Sequence, residues 1–104
     1  MLGMISDRPC VRVADELREL IPRFLAHRRR ELDELRAALT CGDADTVRRI
    51  GHGLKGVGGG YGFDEITRLG DQLERTAREG RLHAASGLVA QLGDYLDTVE
   101  IRYE

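Results

Sequence analysis

No tryptophan occurs in the chain, and only 5% of its residues are aromatic. A buried core must therefore be assembled mostly from Leu, Val, Ile and Ala. Prolines number only two, Pro9 and Pro22, which leaves long stretches free of helix breakers. Strand-like alternation of apolar and polar residues is absent, and helical spacing dominates. The two cysteines, Cys10 and Cys41, form no CxxC and have no histidine at metal-ligand spacing. They read as reduced thiols rather than as a disulfide or a metal site. No apolar run approaches the roughly 20 residues that span a membrane. The first ten residues lack a basic segment followed by an apolar one, so no signal peptide is visible. A cytoplasmic location is the default expectation. The formal net charge of −2 argues against a nucleic-acid binder, which would be distinctly basic.

What is present suits one small globular domain over residues 1–104, with 41% hydrophobic and 33% charged residues. The initial Met1 and the length lean toward a standalone protein. Pro9 is placed to open a short first helix with Val13, Leu17 and Leu20 as its buried stripe. Pro22 starts or kinks the next helix, along which Leu25, Leu32, Leu35 and Leu39 recur, interrupted by Arg28. Asp43 is placed to N-cap a third helix that carries Val47 through Val57, with Val47, Ile50, Leu54, Val57 and Tyr61 at seam spacing, and that weakens in the run Gly58, Gly59, Gly60, where each glycine costs up to about 1 kcal/mol. Gly62 reads as a break. A fourth helix turns Ile66, Leu69, Leu73 and Ala77 inward and ends at Gly80. A last helix carries Leu82, Leu88, Val89, Leu92, Leu96 and Val99. The expected fold is all-α: an up-and-down four-helix bundle with an additional short N-terminal helix.

The segment Gly51–Phe63 holds seven glycines, one histidine and one lysine. At about 100° per residue, His52 lies roughly opposite the seam of its helix and faces solvent. Lys55 stands at i+3 and Gly56 at i+4 on the same surface. Arg48 and Arg49 lie one turn earlier. Gly51, Gly53, Gly56 and Gly59 strip bulk from around the ring, which is wasteful in a helix unless something large must approach. A neutral imidazole is a good nucleophile near pH 7, and it can accept a phosphoryl group on a ring nitrogen. Nearby cations then neutralise the bound anion. The pattern GxGxxG at Gly51, Gly53 and Gly56 lacks a preceding strand, so it does not read as a dinucleotide site, and no GK[ST] is present. Arg28, Arg29 and Arg30 precede Glu31, Asp33 and Glu34, as on a solvated helix face laced with ion pairs, with docking as the second use. His27 and His83 have no clustered partners, and His52 has no metal-binding partner at i±3 or i±4. No metal and no cofactor is expected.

His52, Leu54, Lys55, Gly56 and Gly62 resemble the HxLKGxxxxxG signature of histidine phosphotransfer (HPt) domains. Leu73 and Glu74, and then the Glu79–Gly80 turn, stand where such domains carry their next helix and its end. The run from Gly51 to Phe63 is also similar to the amino-terminal phosphotransfer domain of the chemotaxis histidine kinase. The resemblance covers roughly Leu32 to Tyr103. Gly51 and Gly53 depart from it, since the family usually carries Ala or Ser there. The resemblance implies a four-helix bundle that relays a phosphoryl group between a receiver aspartate, or a histidine kinase, and a response regulator, without kinase activity of its own. By position it implies His52 as phosphoacceptor, Lys55 as phosphate stabiliser and Gly56 as the residue that leaves room. Glu74 matches a carboxylate that orients the histidine, which would leave Nε2 as the attacking nitrogen. Arg48, Arg49, Gly53, Gly56 and Gly59 are the expected docking surface. The implied partners are the receiver domain of a response regulator or a hybrid histidine kinase, with no nucleic acid and no membrane. The alternative is a non-phosphorylated helical interaction bundle that docks receivers or other helices.

Overall fold

The computed structural model describes residues 8–104; the first seven residues of the expected 1–104 domain lie outside that range. Four helices carry most of the described chain: α1 (Ile21–Cys41), α2 (Ala44–Val57), α3 (Asp64–Arg78) and α4 (Leu82–Thr98). Their ends follow local chemistry. Pro22 sits in the first turn of α1, where its missing N–H costs nothing. Gly42 closes α1 in the left-handed region at φ 72°, which lets its N–H reach back to the carbonyls of Ala38 and Leu39. Asp43 then caps α2 by accepting from the Thr46 N–H at 3.1 Å. Gly62 and Gly80 make the other two reversals at φ 87° and 73°.

Short turns join consecutive helices, so the bundle runs up and down. α1 packs on α2 and α4, and α3 packs on the same two from the other side. The enclosed core is aliphatic, with Leu35, Val47, Leu54, Leu69, Leu73 and Leu92 fully buried. Three aromatic rings close one end: Phe24 stacks on Phe63 at 5.1 Å and meets Tyr61 at 4.8 Å. Among the described residues no helix is long and apolar enough to cross a membrane.

The segment expected to form a short N-terminal helix does something else. Cys10–Val13 is a strand, β1, and pairs in parallel with Glu100–Tyr103, β2. Only a single 3₁₀ turn, Asp15–Leu17, is helical there. Val11 and Val13 are buried while Cys10 and Arg12 face out, a period of two. Four residues are too few for that period to stand out, and the pairing partner lies at the far end of the chain. Leu20 does not complete a buried stripe; it is 47% exposed. The seam of α2 also departs from a simple repeat. Val47, Ile50 and Leu54 are buried, but Val57 is exposed and Tyr61 only half-buried. α2 ends at Val57, and the backbone tightens into a 3₁₀ turn over Gly59–Tyr61, which changes the phase of the stripe. Arg28 does not interrupt the buried face of α1 but belongs to it. It is buried over the Phe24 ring, with Glu31 accepting from its Nε.

The closest helix pair is α2 and α3. A Cβ added at Gly51 would lie 2.7 Å from the Glu74 backbone nitrogen and 2.9 Å from the Gly70 carbonyl oxygen. One added at Gly70 would lie 2.5 Å from the Lys55 nitrogen and 2.7 Å from the Gly51 oxygen. Backbone meets backbone there, and no side chain can give way. Gly70→Ala is therefore expected to destabilise the fold by roughly 1–3 kcal/mol despite alanine's better helix propensity. Gly87→Ala, in α4 with nothing near its would-be Cβ, is expected to stabilise by up to about 1 kcal/mol. Urea midpoints of the two variants should move in opposite directions from wild type; equal shifts would contradict the steric account.

Candidate functional site

His52 stands on α2 with 71% of its side chain exposed. Positions Gly53 and Gly56 have open space where a Cβ would be, so the surface beside the ring is bare backbone. At about 100° per residue, Gly56, Arg49 and Gly53 lead from the histidine toward α1, while Lys55 and Gly51 lead toward α3. Gly51 adjoins His52 in sequence and lies against the backbone of Glu74. That contact fixes Glu74 beneath the imidazole.

Glu74 has only 6% of its side chain exposed, and its Oε2 lies 2.9 Å from His52 Nδ1. An ionised carboxylate only accepts, so Nδ1 carries the proton and donates. In the neutral ring the Nε2 lone pair is then free on the solvent side. Lys55 Nζ donates to Glu74 Oε1 at 3.4 Å and lies 3.4 Å from Asp71 Oδ1. Arg78 Nη2 donates to Glu74 Oε2 at 3.0 Å, and Arg75 Nε lies 3.2 Å from Asp71 Oδ2. Burial pushes the Glu74 pKa up, but hydrogen bonds from His52 and Lys55, with the Lys55 charge behind them, outweigh it and hold it below the ordinary value. A depressed carboxylate pKa favours the fold above the unfolded value, and that contribution fades as pH falls through the folded one. Glu74 thus remains an ionised acceptor for Nδ1 throughout the neutral range.

Of the residues singled out from sequence, His52, Lys55 and Glu74 meet at one point. Gly53 and Gly56 flank them, open to solvent. Gly59 is also exposed, with the Thr67 hydroxyl 3.7 Å from its would-be Cβ. Gly51 does not belong to the open surface; it is consumed by packing. Arg48 pairs with Asp45 at 2.8 Å. Arg49 lines a pocket between α1 and α2 together with His27, Arg30 and Glu34. The arginine run is largely committed to the bundle: Arg29 ties α1 to α4 through the Leu96 carbonyl at 2.9 Å and Asp97, and Arg30 contacts His27. Gly51, Gly53 and Gly56 lie inside a helix, so the dinucleotide pattern is not realised. His83, Cys10 and Cys41 are exposed and apart from the site. Among the described residues no group of three His, Cys, Asp or Glu side chains is placed to hold a metal.

Sequence reasoning missed Asp71, Arg75 and Arg78. The signal was available: Asp71 lies three residues before Glu74, and each arginine lies four residues after one of these carboxylates. An apolar rim from the neighbouring helix was expected without named residues; it is a groove where Leu20, Phe24, Val57 and Tyr61 meet beside the α1 flank of the site. Leu20 and Val57 are its exposed large apolar side chains.

Residues 14–101, most of the chain, match the sequence model of the Hpt domain. No curated protein and no solved structure matches the chain. The extent of the Hpt match places the chain in the Hpt domain family, whose members pass phosphoryl groups through a histidine in phosphorelays.

Proposed function

We propose that His52 is the phosphoacceptor and that Nε2 is the reacting nitrogen. The observation that carries this reading is the Nδ1–Glu74 bond beneath an exposed ring, which holds the tautomer with a lone pair facing solvent. Hpt domains generally work with receiver domains, which present a phosphorylated aspartate. The Nε2 lone pair attacks phosphorus; the P–N bond forms as the P–O bond to the aspartate breaks, and the carboxylate leaves with the electron pair. The ring becomes a phosphoimidazolium whose Nδ1–H still points at Glu74, so the developing positive charge meets a fixed negative one. Transfer to a second receiver reverses the step. Lys55 pairs with the phosphoryl oxygens, and Gly56 leaves them room.

The receiver docks over Gly53, Gly56 and Gly59, with Arg48 and Arg49 meeting the acidic rim of its aspartate site. The groove at Leu20 and Val57 supplies the apolar part of this surface on the α1 side. A phosphorylated receiver is expected to add one acid-labile, alkali-stable phosphoryl group, and His52→Gln to abolish it with helicity intact. Intact-mass measurement at neutral pH decides this, and equal labelling of the two proteins would remove His52 from the reaction. Lys55→Ala is expected to slow transfer roughly tenfold, less than the loss of an enclosed electrostatic stabiliser costs, because the site is open to water.

Gly56→Leu provides a steric test. Nothing lies near its would-be Cβ, so the isolated domain keeps its fold and gains helix propensity. Transfer from a receiver should nevertheless be blocked. Circular dichroism checks the first expectation and rapid-quench phosphotransfer the second. Normal transfer in this variant would show that the receiver does not close over Gly56 and that this glycine does not serve the partner.

A further inference from the structure

Both carboxylates that hold Lys55 face a second cation as well. Asp71 faces Lys55 Nζ at 3.4 Å through Oδ1 and Arg75 Nε at 3.2 Å through Oδ2. Glu74 faces Lys55 through Oε1 and both Arg78 and His52 through Oε2. The second cation is each time supplied by α3 itself, four residues on. Orientation of the histidine requires only Glu74, so Asp71 and Arg75 have no part in that contact, and Arg78 meets it only through the shared Oε2. What the three share is a link to the lysine through its two carboxylates.

Phosphorylation adds close to two negative charges beside His52. Lys55 must then serve the phosphoryl group and leave its carboxylates, at least in part. Without Arg75 that departure would strand Asp71, and without Arg78 it would leave the almost fully buried Glu74 with the His52 ring alone. With them, each carboxylate keeps a partner. We propose that Asp71 is a positioning residue that competes with the phosphoryl group for Lys55, and that Arg75 and Arg78 set how readily the lysine is released. This rests on the reading of His52 as phosphoacceptor. Removing Asp71 frees the lysine and favours the phosphorylated form. Removing the arginines strengthens the hold of the carboxylates on Lys55 and disfavours it.

Phosphoramidate is a suitable probe, because it phosphorylates histidine without a protein partner. Its P–N bond breaks as the new one forms, and ammonia leaves after taking up a proton. At fixed phosphoramidate and ammonia, the ratio of phosphorylated to free His52 is read by intact mass. Asp71→Asn is expected to raise this ratio about two- to fivefold, the scale of a partly exposed ion pair. The double variant Arg75→Gln/Arg78→Gln is expected to lower it by a similar factor, and Arg75→Lys/Arg78→Lys to restore it. The same changes are then made in a Lys55→Ala background. If the effects run through the lysine, both collapse there. An Asp71→Asn effect that is absent, or that persists undiminished without Lys55, overturns the proposal while His52 remains the acceptor. If wild type is not labelled and His52→Gln is indistinguishable from it, the acceptor reading itself fails, and this inference with it.

Discussion

Gly51 and Gly70 set the distance between α2 and α3, and the chemistry of the site depends on that distance. With no side chain on either, two helix backbones meet directly. Glu74 begins one turn after Gly70 on the same face of α3, and His52 follows Gly51 on α2. Close approach at the glycines therefore becomes a 2.9 Å contact between Nδ1 and Oε2. Longer, flexible side chains at the crossing would hold the helices apart and let them slide. Glycine in a helix sacrifices intrinsic propensity, about 1 kcal/mol at each position. Here the loss is offset by burial of Leu54 and Leu73 at the same crossing.

The glycines of Gly51–Phe63 fall into different physical roles according to the helix face they occupy. Gly51 and Gly58 are buried, and a Cβ at either would strike α3. Gly53 and Gly56 are open, and a Cβ at either would meet only solvent. Gly62 turns the chain at a positive φ. Composition alone merges these roles into one glycine-rich run. The structure separates packing, bareness and reversal, and each tolerates a different substitution.

The four helices were legible because their signals repeat: the leucines of α1, α3 and α4 recur over several turns, and Asp43, Gly62 and Gly80 mark boundaries by chemistry that needs no tertiary context. The parallel pairing of Cys10–Val13 with Glu100–Tyr103 was not legible, since two four-residue alternations gain meaning only from each other. The run Gly58, Gly59, Gly60 did mark where the third helix weakens, but not the 3₁₀ turn over Gly59–Tyr61 that takes Tyr61 off the buried stripe, where Gly58 packs against Thr67. In the site, the triplet His52, Lys55 and Glu74 followed from a motif and a resemblance. Asp71, Arg75 and Arg78 were present in plain i,i+3 and i,i+4 spacing, but nothing in the sequence says which face of α3 meets Lys55.

The two flanks of α2 differ in kind. On the α3 flank lie the carboxylates and arginines, with Glu74 nearly sealed from water, so polar groups there are fixed and oriented. On the α1 flank lie Gly53, Arg49 and the Leu20–Val57 groove, whose apolar surface is exposed among the described residues. A histidine between two equally polar flanks would be well oriented but poorly presented. One between two apolar grooves would be well presented but free to take either tautomer. Placing orientation on one side and access on the other lets each be satisfied without weakening the other. The glycine crossing makes that division possible, because it brings α3 close enough to complete the polar side without raising any bulk on the side that faces solvent.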